Sequence, residues 1–200
     1  MKLLRAIILL LTISISGSSL LAQSDESSPA RVVDDVVEAA EKLLESLDDS
    51  QRKQILYAFD DEQQRKRWSN LPTGNVKRGG VRWGDLDEAQ QEALLDLIKA
   101  TLSEDGYKQV IENVDGDEYL RQHGGRADFG WHEFYVSLLG TPSTSEPWMW
   151  QFGGHHLAIN ATIRGEEITL SPTLTGGQPM KYEVDGKQVH QMSEEIDTAY

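Results

Sequence analysis

Residues 146–160, EPWMWQFGGHHLAIN, gather two tryptophans, a glycine pair and two adjacent histidines into fifteen positions. Imidazole titrates near neutral pH, so His155 and His156 are candidates for acid–base chemistry or for holding a transition metal. Zinc or a similar divalent ion takes three or four nitrogen, oxygen or sulfur ligands. His132 is the next candidate ligand, with Glu133, Glu146 and His123 as further donors. The spacing is not that of a zinc-binding helix, because Val136 stands where the second histidine of an HExxH motif starting at His132 belongs. Glu146 could act as a general base beside the run. Read as a strand over 155–163, the segment sends successive side chains to opposite faces and separates His155 from His156. Bringing both onto one ion would need a bulge, which Gly153-Gly154 could permit. Trp148 and Trp150 share parity with Phe152. Such a row either stacks on a sugar or heterocycle, making Trp148 and Trp150 substrate-binding candidates, or fills a core; two of the three rings are expected in the core.

Arginine supplies the second group of candidates. The loop 68–86 sets Arg78 and Arg82, with Ser69 and Asn70, around Gly79-Gly80. A guanidinium fork there could bind the carboxylate or phosphate of a small ligand. Arg65, Lys66, Arg67, Lys77, Arg78 and Arg82 form a basic island within eighteen residues; the alternative is a solvated helix end and loop paired with acidic neighbours. The loop lacks the Gly-Lys-Ser/Thr ending of a P-loop, and the chain has neither a GxSxG elbow nor a GxGxxG turn. Asn113, Asp115 and Asp117 imitate the first three ligands of a calcium loop. Glu118 and Gly124 occupy the positions of its turn glycine and bidentate glutamate, so the run reads as a helix end. Asn160-Ala161-Thr162 is a glycosylation sequon inside an expected strand.

Composition limits what these groups can serve. The chain of 200 residues carries 19 basic and 33 acidic side chains, a formal charge of −14. That balance repels nucleic acid and anionic lipid headgroups, so a small-molecule ligand is expected and no nucleic acid. There is no cysteine, which removes disulfides and thiolate chemistry. The opening residues, basic MKLLR, apolar AIILLLTISI and small-residue SGSSLLA, have the pattern of a signal peptide cut near Ala22, with Leu20 larger than ideal. The apolar run is shorter than the ~20 residues a membrane span needs. The mature chain is therefore expected to be secreted or periplasmic, with no membrane span.

The elements that position the candidates follow from periodicity. After a signal peptide over 1–22 and a flexible tether over 23–30, residues 31–200 read as one α+β domain. Val32, Val33, Val36, Val37, Ala40, Leu43, Leu44 and Leu47 form a helical stripe. Ser50 could cap a second helix, Asp87 a third through Leu102, and Ser103 a fourth fading at DGDE. FYVSLLG, WMWQF, HHLAINATI and ITLSPTL are strands, the last two joined by RGEE as a hairpin. About four N-terminal helices are thus expected to pack on a C-terminal antiparallel sheet. SEEIDTAY opens like a capped helix and is short for a terminal one, which predicts that the natural fold takes more chain here.

RWSNLP (67–72), the GDL-x-x-x-Q run (84–90), LSEDGY (102–107), LLGTPSTSEPWMWQFGGHHLAIN (138–160) and SPTLTGGQP (171–179) resemble, in matching order, the mostly exported family catalogued as domain of unknown function 3500. The resemblance covers roughly residues 31–200 and implies members that run past the position of Tyr200. It implies no reaction or ligand. From the residues themselves, the leading expectation is a pocket where HGGRADFGWHE, Glu146 to His156 and the arginine loop converge. In one version His155 or His156 is an acid/base or metal ligand, Glu146 assists, Arg78 or Arg82 holds an anionic substrate, and the reaction is a hydrolysis. In the other the chain is a non-catalytic module for a small ligand or partner, with structural histidines. A third version is a truncated relative without activity.

Overall fold

The computed structural model describes residues 28–199. The expected signal peptide and residues 23–27 of the expected tether lie outside the described residues. Helix α1 (Pro29–Ser46) begins within that expected tether: the Ser28 side chain accepts from the Arg31 amide, and Pro29 suits a first turn. Its buried face is Val33, Val36, Val37, Ala39, Ala40 and Leu43. Helix α2 (Asp49–Ile55) is capped by Asp48 rather than Ser50, in a reciprocal capping box with Gln51. It stops where Leu56–Tyr57 becomes strand β1, and the one-turn helix α3 (Glu62–Arg65) follows, capped by Asp61. Strand β2 (Val81–Arg82) leads through a 3-10 turn into helix α4 (Glu88–Thr101), which Asp87 caps as expected. Helix α5 (Glu104–Gln122), capped by Ser103, runs straight through the DGDE segment where the sequence predicts fading. The polar residues Asn113 and Asp117 on its buried side, four apart, have partners in the sheet region, which is why the apolar stripe gives no warning that the helix continues.

The C-terminal half supplies strands β3 (Tyr135–Leu139), β4 (Trp148–Gly153), β5 (Leu157–Arg164), β6 (Glu167–Leu170) and β7 (Leu174–Thr175). A separate hairpin, β8 (Lys181–Val184) and β9 (Lys187–His190), precedes helix α6 (Ser193–Ala199). The sheet order is β1-β3-β4-β5-β6, with β2 also on β3 and β7 also on β5. This is an α+β fold. The sheet is mixed, not purely antiparallel, because β1 joins β3 in parallel. The expected β5–β6 hairpin forms around Gly165-Glu166, with Arg164 opposite Glu167. The run 168–174 is broken after Leu170, and its end, β7, pairs with β5 further along.

Strand alternation divides the sheet into two unlike faces. Val136, Leu138, Trp148, Trp150, Phe152, Leu157, Ile159, Ala161 and Ile163 share one core cluster with the apolar stripes of α1 and α4. Trp148 and Trp150 are completely buried and Phe152 nearly so. Aromatic side chains remove about 150–250 Å² each from water, so this face holds the helices to the sheet. The opposite face carries Tyr135, Ser137, Gln151, Gly153, Ala158 and Asn160, in register across β3, β4 and β5.

Candidate functional site

The histidine pair is not in a strand. Gly153 faces Ala158, and the Gly154 amide donates to the Leu157 carbonyl at 3.0 Å, so His155 and His156 are the two residues of a tight turn between β4 and β5. His156 has φ of 58°, the left-handed region that a non-glycine residue adopts at a cost of about 1–2 kcal/mol. Strand alternation therefore does not reach the pair. The ring centroids lie 4.1 Å apart instead of on opposite faces, which corrects the reading of 155–163 as a strand. The preceding glycines are required by proximity: a Cβ on Gly153 would collide with the Leu157 carbonyl oxygen, and one on Gly154 with the ring of Phe134.

Helix α5 and the loop after it hold the turn. Asp117 is 1% exposed and uses both carboxylate oxygens, one accepting from the Gly130 amide at 2.7 Å, the other 2.6 Å from His155 Nδ1. With Nδ1–H donating to the Asp117 carboxylate, the lone pair of the ring is on Nε2. Nε2 has no hydrogen-bond partner among the described residues. The His155 ring stacks on Phe129 at 4.4 Å and is 6% exposed. His156 is half-buried, with Nε2 2.6 Å from Gln178 Oε1. Its backbone is fixed from two sides, its amide donating to Asn70 and its carbonyl accepting from Gly176. The Asn113 amide also reaches the Gly176 carbonyl.

The two arginines are committed differently. Arg78 donates to the carbonyls of Ser69, Leu71, Val76 and Gly154, and so staples its own loop to the end of β4. Burial lowers its pKa, and among the described residues no carboxylate pairs with it. Arg82 pairs with Asp85 at 2.6 Å and Glu133 at 2.8 Å, and the hydrogen bonds it donates to these carboxylates raise its pKa. Thr73 donates to the other oxygen of Glu133. His132 belongs to this second cluster, its Nε2 3.9 Å from Glu133 and its ring against Trp131. His123 caps the end of α5 and bonds to Tyr119.

Glu146 is exposed, ahead of β4, while His155 follows its far end. At ~3.3 Å per residue the six-residue strand separates them by about 20 Å, so the structure does not bring Glu146 to the histidines. Trp148 and Trp150 are at zero exposure in the core. Trp148 Nε1 donates to the Ser143 carbonyl, and Trp150 Nε1 has no partner among the described residues. Among the described residues no three His, Asp or Glu side chains converge as a metal-binding group. Asp117 enters the sequence reading only as part of a failed calcium loop, and its pairing with His155 escapes it. Its signal is the spacing of Asn113 and Asp117, which shares the buried side of one helix with Val110, Val114 and Gly116.

The family described as Protein of unknown function (DUF3500) matches residues 29–200. The chain belongs to this family. No curated protein and no solved structure matches it. Among the described residues no helix is long and apolar enough to cross a membrane.

Proposed function

We propose that this DUF3500 chain is an exported protein that handles a small ligand at the histidine turn, with His155 as general base and hydrolysis as the reaction. The observation that carries the reading is the Asp117–His155 pair: a buried carboxylate, fixed by a backbone amide, orients Nδ1 and leaves the lone pair on Nε2. Such a base takes a proton from water as its oxygen attacks a carbonyl carbon, then returns it to the departing alcohol or amine. Arg78 is a positioning residue, acting through the Gly154 carbonyl that precedes the turn. A metal-assisted form would use the same Nε2 as ligand with Asp117 behind it. Export is supported by the leader pattern of residues 1–22.

The burial of His155 and its stacking on Phe129 favour a second reading, a non-catalytic ligand-binding module with structural histidines. Asp117→Asn and His155→Gln, compared with the wild type on a panel of chromogenic esters and amides, separate the two. General-base hydrolysis predicts turnover that falls by about 10²–10⁴ in both variants while melting shows a folded protein. A wild type inert on the whole panel, or one no faster than Asp117→Asn, leaves the binding module. Elemental analysis of the wild type decides whether zinc accompanies the site.

A further inference from the structure

The histidine turn is covered on one side by a segment that little else holds. The ring of His155, 6% exposed, meets Asp117 at Nδ1, the ring of His156 and the ring of Phe129. Asp117 is buried within α5, and His156 is bonded through both its amide and its carbonyl, so neither can leave without disrupting the helix or the hairpin. Phe129 is placed differently. It stacks on the imidazole at 4.4 Å, with the two planes 7° apart. It is buried, yet it lies outside the core cluster that α1, α4 and the sheet make together. Its loop follows α5, and residues 123–127 of that loop are all exposed.

The bonds of this loop are largely with itself. Arg126 grips Asp128 through two hydrogen bonds of 2.7 Å, and the Phe129 amide donates to the Arg126 carbonyl. Among the described residues, one hydrogen bond joins residues 126–129 to the rest of the molecule: Asp128 Oδ2 accepts from the Gly74 amide at 3.0 Å. The two ends are anchored and able to turn. The Gly125 amide donates to the Leu120 carbonyl at 2.8 Å, and the Gly130 amide donates to Asp117. Gly124 and Gly130 have φ of 91° and 100°, a region that glycine enters without steric cost. Nothing stands within 4 Å of the place a Cβ on Gly124 would take, which leaves the chain room to pivot there. A Cβ on Gly125 would press on the Phe129 ring, so that glycine lets the ring seat.

We infer that residues 124–129 are a strap over the histidine turn, which swings out about Gly124 and Gly130, lifts Phe129 from His155 and admits the ligand. Asp128 on the Gly74 amide is its latch. The inference rests on the reading that the turn handles a ligand, and it names how the ligand enters. A segment tied down by one hydrogen bond and one ring stack opens locally at far less cost than the fold, and lids over ligand sites are drawn from such segments. Opening leaves the Asp117–His155 pair intact, because Asp117 holds Gly130 at the hinge and not the part that moves.

The test is acylation of the full chain by diethyl pyrocarbonate, which attacks unprotonated imidazole nitrogen, with each histidine followed by mass spectrometry. In the wild type, His155 is expected to react roughly tenfold more slowly than the exposed His190, because only the open population reacts. Asp128→Ala removes the latch and should raise the His155 rate about tenfold while the His156 rate stays the same. Phe129→Ala should bring His155 to the rate of His190. If that variant does not fold, Phe129→Leu, which keeps apolar bulk but loses the stack, gives the same reading. A wild-type His155 as reactive as His190, an unchanged His155 rate in Asp128→Ala, or equal acceleration of His155 and His156 would overturn the strap. Turnover enters none of these readings. A wild type inert on every ester and amide, but accelerated at His155 by Asp128→Ala, sinks the hydrolysis and leaves the strap as the entrance to a binding module.

Discussion

Along β4, alternate residues serve opposite purposes. Trp148, Trp150 and Phe152 point into the core with the α1 and α4 stripes, whereas Gln151 and Gly153 lie on the other face with Ser137 and Asn160. The first set is apolar and nearly completely buried, and its ring surface needs no partner beyond shape. The second is bonded in a fixed direction, Gln64 donating to Gln151 and Gln151 to Asn160, and each amide is useful only while its neighbour answers it. One strand therefore separates an apolar face that holds the helices from a polar face whose bonds run in one direction.

The comparison can be broken most severely from its apolar side. Trp150→Ala is expected to cost about 3–5 kcal/mol in urea denaturation, because the cavity it opens lies between sheet and helices. A loss under 1 kcal/mol would mean that the face is not the principal core. On the polar side, Gln151→Leu keeps most of the volume but orphans Asn160 Oδ1 and removes one of the two acceptors of Gln64 Nε2, leaving Ser137 Oγ. About 1–3 kcal/mol should be lost, and Asn160→Leu added to it should cost less than it does alone, a non-additivity that a double-mutant cycle reads directly. Arg78→Lys tests the staple between the two regions. An ammonium cannot span four carbonyls, so about 1–2 kcal/mol should be lost, and hydrogen exchange at the Gly154 and His156 amides should quicken more than at β5.

The smallest effect belongs to neither face and serves as their control. Burial, then the carboxylates of Asp185, Glu112 and Glu118, raise the Asp115 pKa above its ordinary 3.8. The folded state therefore binds this proton more tightly than the unfolded chain. Ionisation costs stability above the folded pKa and nothing below the unfolded one. Asp115→Asn should stabilise by about 0.5 kcal/mol or less at pH 7, a gain that fades as the pH falls from the folded pKa toward 3.8 and is absent below it. A gain that persisted in acid would require another cause.

The helical half was largely legible because its signals are local. Asp87 and Ser103 cap α4 and α5, and the valine and leucine spacing of α1 is visible within four turns. The strands were legible as apolar runs, but their ends were not. His155-His156 continued the run on paper, whereas the hairpin closes at Gly154 and Leu157, and the turn undoes the alternation that was expected to part the two rings. The side-chain contacts of the candidate site and of the polar face resisted for a different reason. Asp117 meets His155 across 38 positions, and Gln64 meets Gln151 across 87, so neither partner is marked near the other in the chain. Ser137, Gln151 and Asn160 become a row only through register. Arg65, Lys66 and Arg67 drew attention by charge, while the neutral Gln64 beside them is the residue bonded to that row.

The short strands β1 and β2 have a consequence of their own. Both lie on the same margin of β3, the one not taken by β4, and each is two residues long. Between them they occupy the free amides and carbonyls along which another polypeptide could add itself. The N-terminal half thus guards the sheet against self-association. A fragment beginning after Gly84 would keep β3, β4 and β5 while uncovering that margin, and should accumulate as insoluble aggregate.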